Sequence, residues 1–256
     1  SSTIFSLNAA SGRLNFRAGA RNDTYSASIP TDGRVWTDVV VRDIDGDGGT
    51  EIVAGYNNGV VAVYDAWGHF KPGWPQSPQT NAAIPYNEFR ALKVADIDSD
   101  GQEEIIAGAA AERSDSLWVF EPNGTVKPGW PRLDAAHDGA VISGEVSDET
   151  KLGAAYAWGF FGNTLSVGNL TGNGVDIVAP SDVPFVCVYD GNGNLRPANS
   201  KWGGRTWGKV GFWEDAGMED RNENEGWGLW PLESYPYHEM LTVNFAHAGS
   251  EIADLD

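Results

Sequence analysis

Two short segments of the chain concentrate carboxylates at alternating positions. Each carries aspartates at its first, third and fifth positions, glycine at the sixth and glutamate at the ninth, starting at Asp43 and at Asp96. Oxygen ligands in this spacing, with a backbone carbonyl at the seventh position, wrap one Ca²⁺. Crowded carboxylates repel one another unless a cation neutralises them. The predicted ligands are Asp43, Asp45, Asp47, the carbonyl of Gly49 and Glu51 in loop 1, and Asp96, Asp98, Asp100, the carbonyl of Gln102 and Glu104 in loop 2.

The opening of an EF-hand loop has the same spacing, but its remaining features are missing here. An EF-hand needs a glutamate at the twelfth position and a helix on each side. The twelfth residue is Ala54 in loop 1 and Ala107 in loop 2, and Val- and Ile-rich segments flank both loops. Mg²⁺ is disfavoured because it demands octahedral geometry and usually keeps several waters. The sequence therefore predicts Ca²⁺ loops between β-strands.

Weaker versions of the loop occur further along the chain. Loop 3, at residues 169–176, is one residue shorter and keeps a single carboxylate, and the sequence ends inside another acidic segment. Because calcium affinity depends on ligand charge, we expect at most weak metal binding at these places. The candidate weak ligands are Asn169, Thr171, Asn173 and Asp176 in loop 3, and Asp254 and Asp256 at the end of the sequence.

No group of side chains in the sequence has the pattern of a catalytic site, and we predict no catalytic residue. The four histidines are scattered, and only His238 lies near candidate acid–base partners, Tyr235 and Tyr237. Such a pair can abstract a proton next to a sugar carboxylate, although an ordinary aromatic loop is the simpler interpretation. The single cysteine, Cys187, excludes a disulfide framework and paired-cysteine metal motifs.

Composition limits the class of partner. The chain has 256 residues, with 17 basic and 36 acidic side chains and a formal net charge of −19. This excess argues against nucleic acid or an anionic membrane surface, because both demand clustered lysine and arginine. The apolar runs are shorter than the roughly 20 residues that span a bilayer. Hydrophobic residues at 41% nevertheless support a folded core.

Each acidic loop belongs to a longer repeat whose strands must position it. An apolar stretch that ends in an acid, followed by a glycine turn, recurs at residues 61–65, 117–121 and 186–190 and is typical of a β-hairpin. The phrase Lys-Pro-Gly-Trp-Pro follows the first two hairpins, and the recurrence of Trp74 and Trp130 favours packing between units. The predicted unit has four short strands, with the acidic loop between the first two.

Four-stranded units in tandem are typical of β-propeller blades. We predict an all-β fold in which residues 1–256 form a single region of a partial propeller. The expected divisions are a half blade at 1–33, blades at 34–86 and 87–160, a blade with an insertion at 161–240, and the start of a blade at 241–256. Because both ends cut across a repeat, we expect the remaining blades to come from a longer chain or from another subunit.

At the two acidic loops the sequence resembles the FG-GAP/VCBS family of calcium-loop β-propeller repeats, found in integrin α-subunit heads and in many secreted bacterial proteins. The similarity is carried by the loops and the strands after them, at residues 43–55 and 96–108. It implies that the strand before each loop lies innermost in its blade and that Ca²⁺ fixes the first turn between strands. Loop 3 departs from the family motif.

The sequence leaves three functions open. The first is a calcium-binding, extracellular binding, adhesion or scaffold module of a larger secreted or cell-surface protein, with a protein or carbohydrate partner. The second is a carbohydrate-active enzyme of the polysaccharide lyase type, using His238 with Tyr235 or Tyr237, and the third is a structural subunit of a surface assembly or filament. Millimolar calcium would fill even weak loops, which favours an extracellular or cell-surface location, with the periplasm as the alternative.

Overall fold

Short antiparallel strands make up the regular structure of the residues that the structure describes. The computed structural model describes residues 3–7, 9–19, 33–78, 87–111, 116–132, 165–180 and 186–196, together with Ile252. These residues contain no helix, and therefore none long and apolar enough to cross a membrane. The strands are β1 Thr3–Leu7, β2 Leu14–Gly19, β3 Val40–Arg42, β4 Glu51–Gly55, β5 Val61–Tyr64, β6 Asn87–Ala95, β7 Glu104–Ala111, β8 Leu117–Phe120, β9 Ser166–Gly168, β10 Asp176–Pro180 and β11 Val186–Asp190.

Three of the sheets share one plan. Their strand orders are β3-β4-β5, β6-β7-β8 and β9-β10-β11, all antiparallel, and β1 and β2 form a separate two-stranded sheet. The acidic loop connects the first strand to the second in every three-stranded sheet. The acid that closes each loop is the first residue of the second strand, namely Glu51, Glu104 and Asp176. The repeat predicted from the sequence is therefore present in the fold, and the loops occupy equivalent positions.

The three-stranded sheets pack face to face through apolar side chains. Along β8, Trp118 and Phe120 join a cluster with Val53 of the first sheet, whereas Leu117 and Val119 join a cluster that reaches the third sheet. Successive side chains of a strand point to opposite faces, so a strand between two sheets is apolar at every position. This explains why β8 is buried at every residue. β5 is also buried throughout, with Ala62 and Tyr64 in a cluster formed within the first unit.

The fourth strand predicted for each blade is not formed as a strand. In the first unit the chain after β5 runs beside it but makes only two isolated bridges, Tyr64 with Phe70 and Val61 with Gln76. Between these bridges lies the Lys-Pro-Gly-Trp-Pro segment, residues 71–75, whose prolines have no N–H to donate to a ladder. The second unit has the same pair of bridges, and the described part of the third has one. The sheets of these three units are thus three-stranded, and a four-stranded propeller blade stays a prediction.

The Lys-Pro-Gly-Trp-Pro segment instead joins neighbouring units. The indole of Trp74 donates a hydrogen bond to the backbone oxygen of Pro122 in the next unit, at 2.7 Å, and its ring lies 5.7 Å from that of Phe120. Trp130 repeats the arrangement one unit later, with 3.1 Å from its indole nitrogen to the Gly191 oxygen. Both tryptophans are 7% exposed. The predicted packing role of these two tryptophans between units is confirmed.

Several sequence predictions fall on residues outside the described part of the chain. These are most of the expected insertion and terminal half blade, the candidate acid–base group at Tyr235, Tyr237 and His238, and the candidate weak ligands Asp254 and Asp256. The division of the chain into blades likewise stays a prediction.

Candidate metal sites

Three carboxylates converge in each of loops 1 and 2. Asp43, Asp45 and Glu51 offer oxygen atoms that all lie within 4.8 Å of one another, and the residues at the same positions of loop 2, Asp96, Asp98 and Glu104, do the same. Two acidic clusters that could hold a metal ion are therefore present among the described residues. They come from the first, third and ninth positions of the predicted ligand pattern.

The glutamate that ends each loop is buried and is bonded to the loop's own backbone. Glu51 is 2% exposed and accepts a hydrogen bond from the Ile44 amide at 3.0 Å. Glu104 is fully buried and accepts one from the Ile97 amide at 2.8 Å. Burial raises the pKa of Glu104 above its ordinary value, although the hydrogen bond from Ile97 acts in the opposite direction. In each glutamate one oxygen accepts from the backbone and the other accepts from a lysine, Lys71 or Lys127.

The first aspartate folds each loop around itself. Asp43 accepts hydrogen bonds from the amides of Gly46 and Gly48, at 2.9 and 3.0 Å. Asp96 accepts the equivalent bonds from Ser99 and Gly101, at 2.6 and 3.0 Å. The sixth-position glycines have φ of 85° and 90°, the left-handed region in which a side chain would be strained. Glycine at the sixth position therefore suits the tight turn of each loop.

The aspartate at the fifth position turns towards the backbone at the seventh. Asp47 accepts a hydrogen bond from the Gly49 amide at 2.6 Å, and Asp100 accepts one from the Gln102 amide at 2.8 Å. The Gly49 amide bond and the nearby Lys71 lower the pKa of Asp47. Metal ligation by Asp47, Asp100 and the carbonyls of Gly49 and Gln102 stays a prediction.

A lysine from the Lys-Pro-Gly-Trp-Pro segment reaches into the first cluster. The Lys71 Nζ lies 2.8 Å from Asp45 Oδ2, 3.2 Å from Asp47 Oδ2 and 3.1 Å from Glu51 Oε1. Burial alone would lower the pKa of Lys71, but its bonds to the three carboxylates raise it above its ordinary value. The lysine is therefore fully charged at neutral pH.

The second cluster contains the equivalent lysine. The Lys127 Nζ lies 2.6 Å from Asp98, 3.1 Å from Glu104 and 3.0 Å from Glu121. Its pKa is also raised by these bonds against the effect of burial. Neither lysine is predicted by the loop motif, which contains no basic position. The signal that could have found them is their recurrence at one register of the repeat, where each begins the phrase that contains the packing tryptophan.

Loop 3 has a different balance of charge. Its only carboxylate, Asp176, is fully buried and lies 2.6 Å from the Arg196 guanidinium. The other oxygen of Asp176 accepts hydrogen bonds from the amides of Leu170 and Thr171 and from the Thr171 hydroxyl, at 2.9 to 3.0 Å. The Asn169 side chain is bonded to the Gly172 amide. One acid paired with one base leaves this loop without excess charge.

Loops 1 and 2 keep an excess of negative charge. Each carries at least four carboxylates, whereas one ammonium group lies among them. A set of carboxylate and carbonyl oxygens is the donor set that hard divalent cations such as Ca²⁺ select. The residues of loops 1 and 2 therefore fit a calcium ion in chemistry and in charge. Weak metal binding by Asn169, Thr171, Asn173 and Asp176 of loop 3 stays a prediction.

The two loops also contact each other. The Glu103 amide, in loop 2, donates a hydrogen bond to the Ile44 oxygen of loop 1 at 2.9 Å. The Arg42 side chain, just before loop 1, forms an ion pair with Glu103 at 2.6 Å. These two contacts join loop 1 and its sheet to loop 2 of the neighbouring sheet.

Comparisons with known proteins agree with the family resemblance in the region of these loops. Residues 43–107 match the family described as FG-GAP-like repeat. The predicted resemblance to FG-GAP/VCBS repeats is thus confirmed for this segment. A search of curated proteins gave no match.

Two crystal structures of computationally designed proteins, Ika4 and Ika8, are similar to this chain at 11% identity. The match to Ika4 covers 66% of this chain and 73% of the designed chain, with a TM-score of 0.36. The match to Ika8 covers 74% and 40%, with a TM-score of 0.40.

Proposed function

We propose that this chain, which contains an FG-GAP-like repeat at residues 43–107, is a calcium-binding β-propeller module of a secreted or cell-surface protein. Its role there would be binding, adhesion or scaffolding, with a protein or carbohydrate as the partner. The observation that carries the proposal is the convergence of three carboxylates at the same positions of two successive loops. The periplasm is the alternative location.

Calcium would act on the fold through the position of the loops. Each loop links the first and second strands of a three-stranded sheet, and loop 1 is bonded to loop 2 through Ile44 and Glu103. Neutralising the carboxylates removes repulsion within the loop, and the bound ion fixes the turn. A protein of this kind is stiff when calcium is abundant, which suits a surface that presents a partner site outside the cell.

The first test is thermal unfolding in excess calcium and in EGTA, together with metal analysis of the dialysed protein. We expect about two calcium ions per chain, one for each acidic cluster. If free calcium is about tenfold above the dissociation constant of both sites, mass action adds about 3 kcal/mol to the free energy of unfolding. For a chain of this size that gain raises Tm by roughly 6 to 12 °C.

Substitutions in the loops assign the ions to their sites. Asp45→Asn and Asp98→Asn each remove one carboxylate of a cluster, and we expect each to abolish or strongly weaken one calcium site. Asp38→Asn is the matched control, because Asp38 is an exposed acid outside both loops. A protein that carries no calcium, with the same Tm in calcium and in EGTA, would contradict the proposal.

A further inference from the structure

A basic side chain reaches the acid that closes the loop in each of the three sheets. It comes six residues after the acid that ends the third strand or follows it, at Lys71, Lys127 and Arg196. Its nitrogen lies 3.1 Å from Glu51, 3.1 Å from Glu104 and 2.6 Å from Asp176, respectively. The same contact thus occurs in all three units. Its recurrence indicates that the base at this position of the repeat has a defined role.

The backbone holds the base in place. The amides of the three residues donate to the oxygens of Val63, Val119 and Val188 on the neighbouring strand, at 2.8 to 3.0 Å. Lys127 is itself only 5% exposed. The backbone pairing therefore places the ammonium groups of Lys71 and Lys127 beside the loops.

The ammonium groups engage the same oxygen-bearing residues that a metal would need. Lys71 contacts Asp45 and Glu51, which are two of the three members of the first cluster, and Lys127 contacts Asp98 and Glu104 in the second. Calcium ligands lie at about 2.3 to 2.6 Å from the ion, which is closer than the hydrogen bonds of an ammonium. A calcium ion and the lysine thus draw on one set of carboxylates and repel each other.

The third sheet shows the base beside a single acid. Asp176 and Arg196 form a pair with no excess charge, and the loop around them keeps its hydrogen bonds. At this position one base therefore balances the single acid of its loop. In loops 1 and 2 the equivalent lysine balances only part of the negative charge of the carboxylates.

Resting on the proposed calcium function, we propose that Lys71 and Lys127 are built-in competitors of calcium. Each lysine supports its loop when calcium is absent and lowers the affinity of the loop for the ion. When calcium binds, the carboxylates then exchange the lysine ammonium group for the metal ion. The two lysines would tune the sites to the high calcium concentrations found outside cells.

The test replaces each lysine by glutamine in the full chain, which keeps a long polar side chain with a donor group but removes the charge. Calcium affinity is measured by titration calorimetry, and Tm is measured in EGTA. Removing a positive charge next to a divalent ion tightens binding, and we expect at least about tenfold at one of the two sites. In EGTA the Tm of each variant should fall.

Three control variants separate competition from other effects. Lys71→Arg keeps the charge and should stay near the parent affinity. Lys93→Gln changes net charge equally, at a residue with no ion pair among the described residues, and should tighten binding much less. Arg196→Gln makes the equivalent change beside a single carboxylate and should create no third site.

The outcomes distinguish this inference from the proposed function. Calcium binding by the parent chain with equal or weaker binding by Lys71→Gln and Lys127→Gln would overturn the competition while leaving the calcium function intact. Variants that fail to fold in calcium as well as in EGTA would also overturn it, since the lysine would then be needed whether or not metal is bound. No calcium binding by the parent or by any variant would refute both.

Discussion

The backbone at Gly73 lies very close to the backbone of the next unit, and a substitution there tests whether this contact joins the two units. A Cβ atom at Gly73 would meet the backbone oxygen of Asn123 well inside the 3.0 Å that real Cβ contacts keep. The φ of Gly73 is +87°, so alanine there also adopts a strained left-handed backbone, which costs about 1 kcal/mol. Relieving the contact by moving the two backbones roughly 1 Å apart adds about 2 to 3 kcal/mol. We therefore expect Gly73→Ala to lower the free energy of unfolding by about 3 to 4 kcal/mol.

A matched glycine isolates the contact from the backbone strain. Gly174 has φ of +100° and no atom within 4 Å of the position that a Cβ would take, so Gly174→Ala should cost only about 1 kcal/mol. At roughly 3 °C per kcal/mol, thermal unfolding followed by circular dichroism should place Gly73→Ala about 6 to 9 °C below Gly174→Ala. Equal Tm values for the two variants would refute the claim that the backbone contact at Gly73 joins the two units. Gly129→Ala, one unit later, should behave like Gly73→Ala, because its Cβ would meet the Asn192 oxygen.

Three further substitutions, one of them with a control variant, test other contacts by the same measurement. Trp74→Phe removes the indole N–H that bonds to the next unit at 2.7 Å and should cost about 1 to 3 kcal/mol, whereas Trp67→Phe, at a residue 74% exposed, should change stability by less than about 0.5 kcal/mol. Tyr56→Phe deletes a buried hydroxyl that lies 2.8 Å from that of Tyr64 and should cost about 1 kcal/mol. Asp176→Asn breaks a buried ion pair and should cost about 3 kcal/mol equally in calcium and in EGTA; a loss seen only in calcium would mean that loop 3 binds metal.

The repeat and its loops could be predicted from the sequence because both depend on local spacing. Alternating aspartates with a glycine at the sixth position define the turn within one segment, and the apolar runs before and after define its strands. The fourth strand could not be predicted as reliably. Its hydrophobic residue Phe70 does pair with Tyr64, but the Pro-Gly-Trp-Pro segment that follows breaks the ladder. Prolines at this spacing are compatible both with the end of a strand and with its interruption, and only the pairing in the sheet distinguishes the two.

The lysines were harder to predict because their partners lie far away in the sequence. Lys71 follows Glu51 by 20 residues and Lys127 follows Glu104 by 23, and only the sheet brings each pair together. If only the carboxylates of a loop are counted, all of their mutual repulsion is assigned to a metal ion that must neutralise it. The lysine ammonium group neutralises part of the negative charge in loops 1 and 2. An excess of negative charge remains in these two loops but not in loop 3. We therefore expect the number and affinity of calcium sites to depend on Lys71 and Lys127 as much as on the loops themselves.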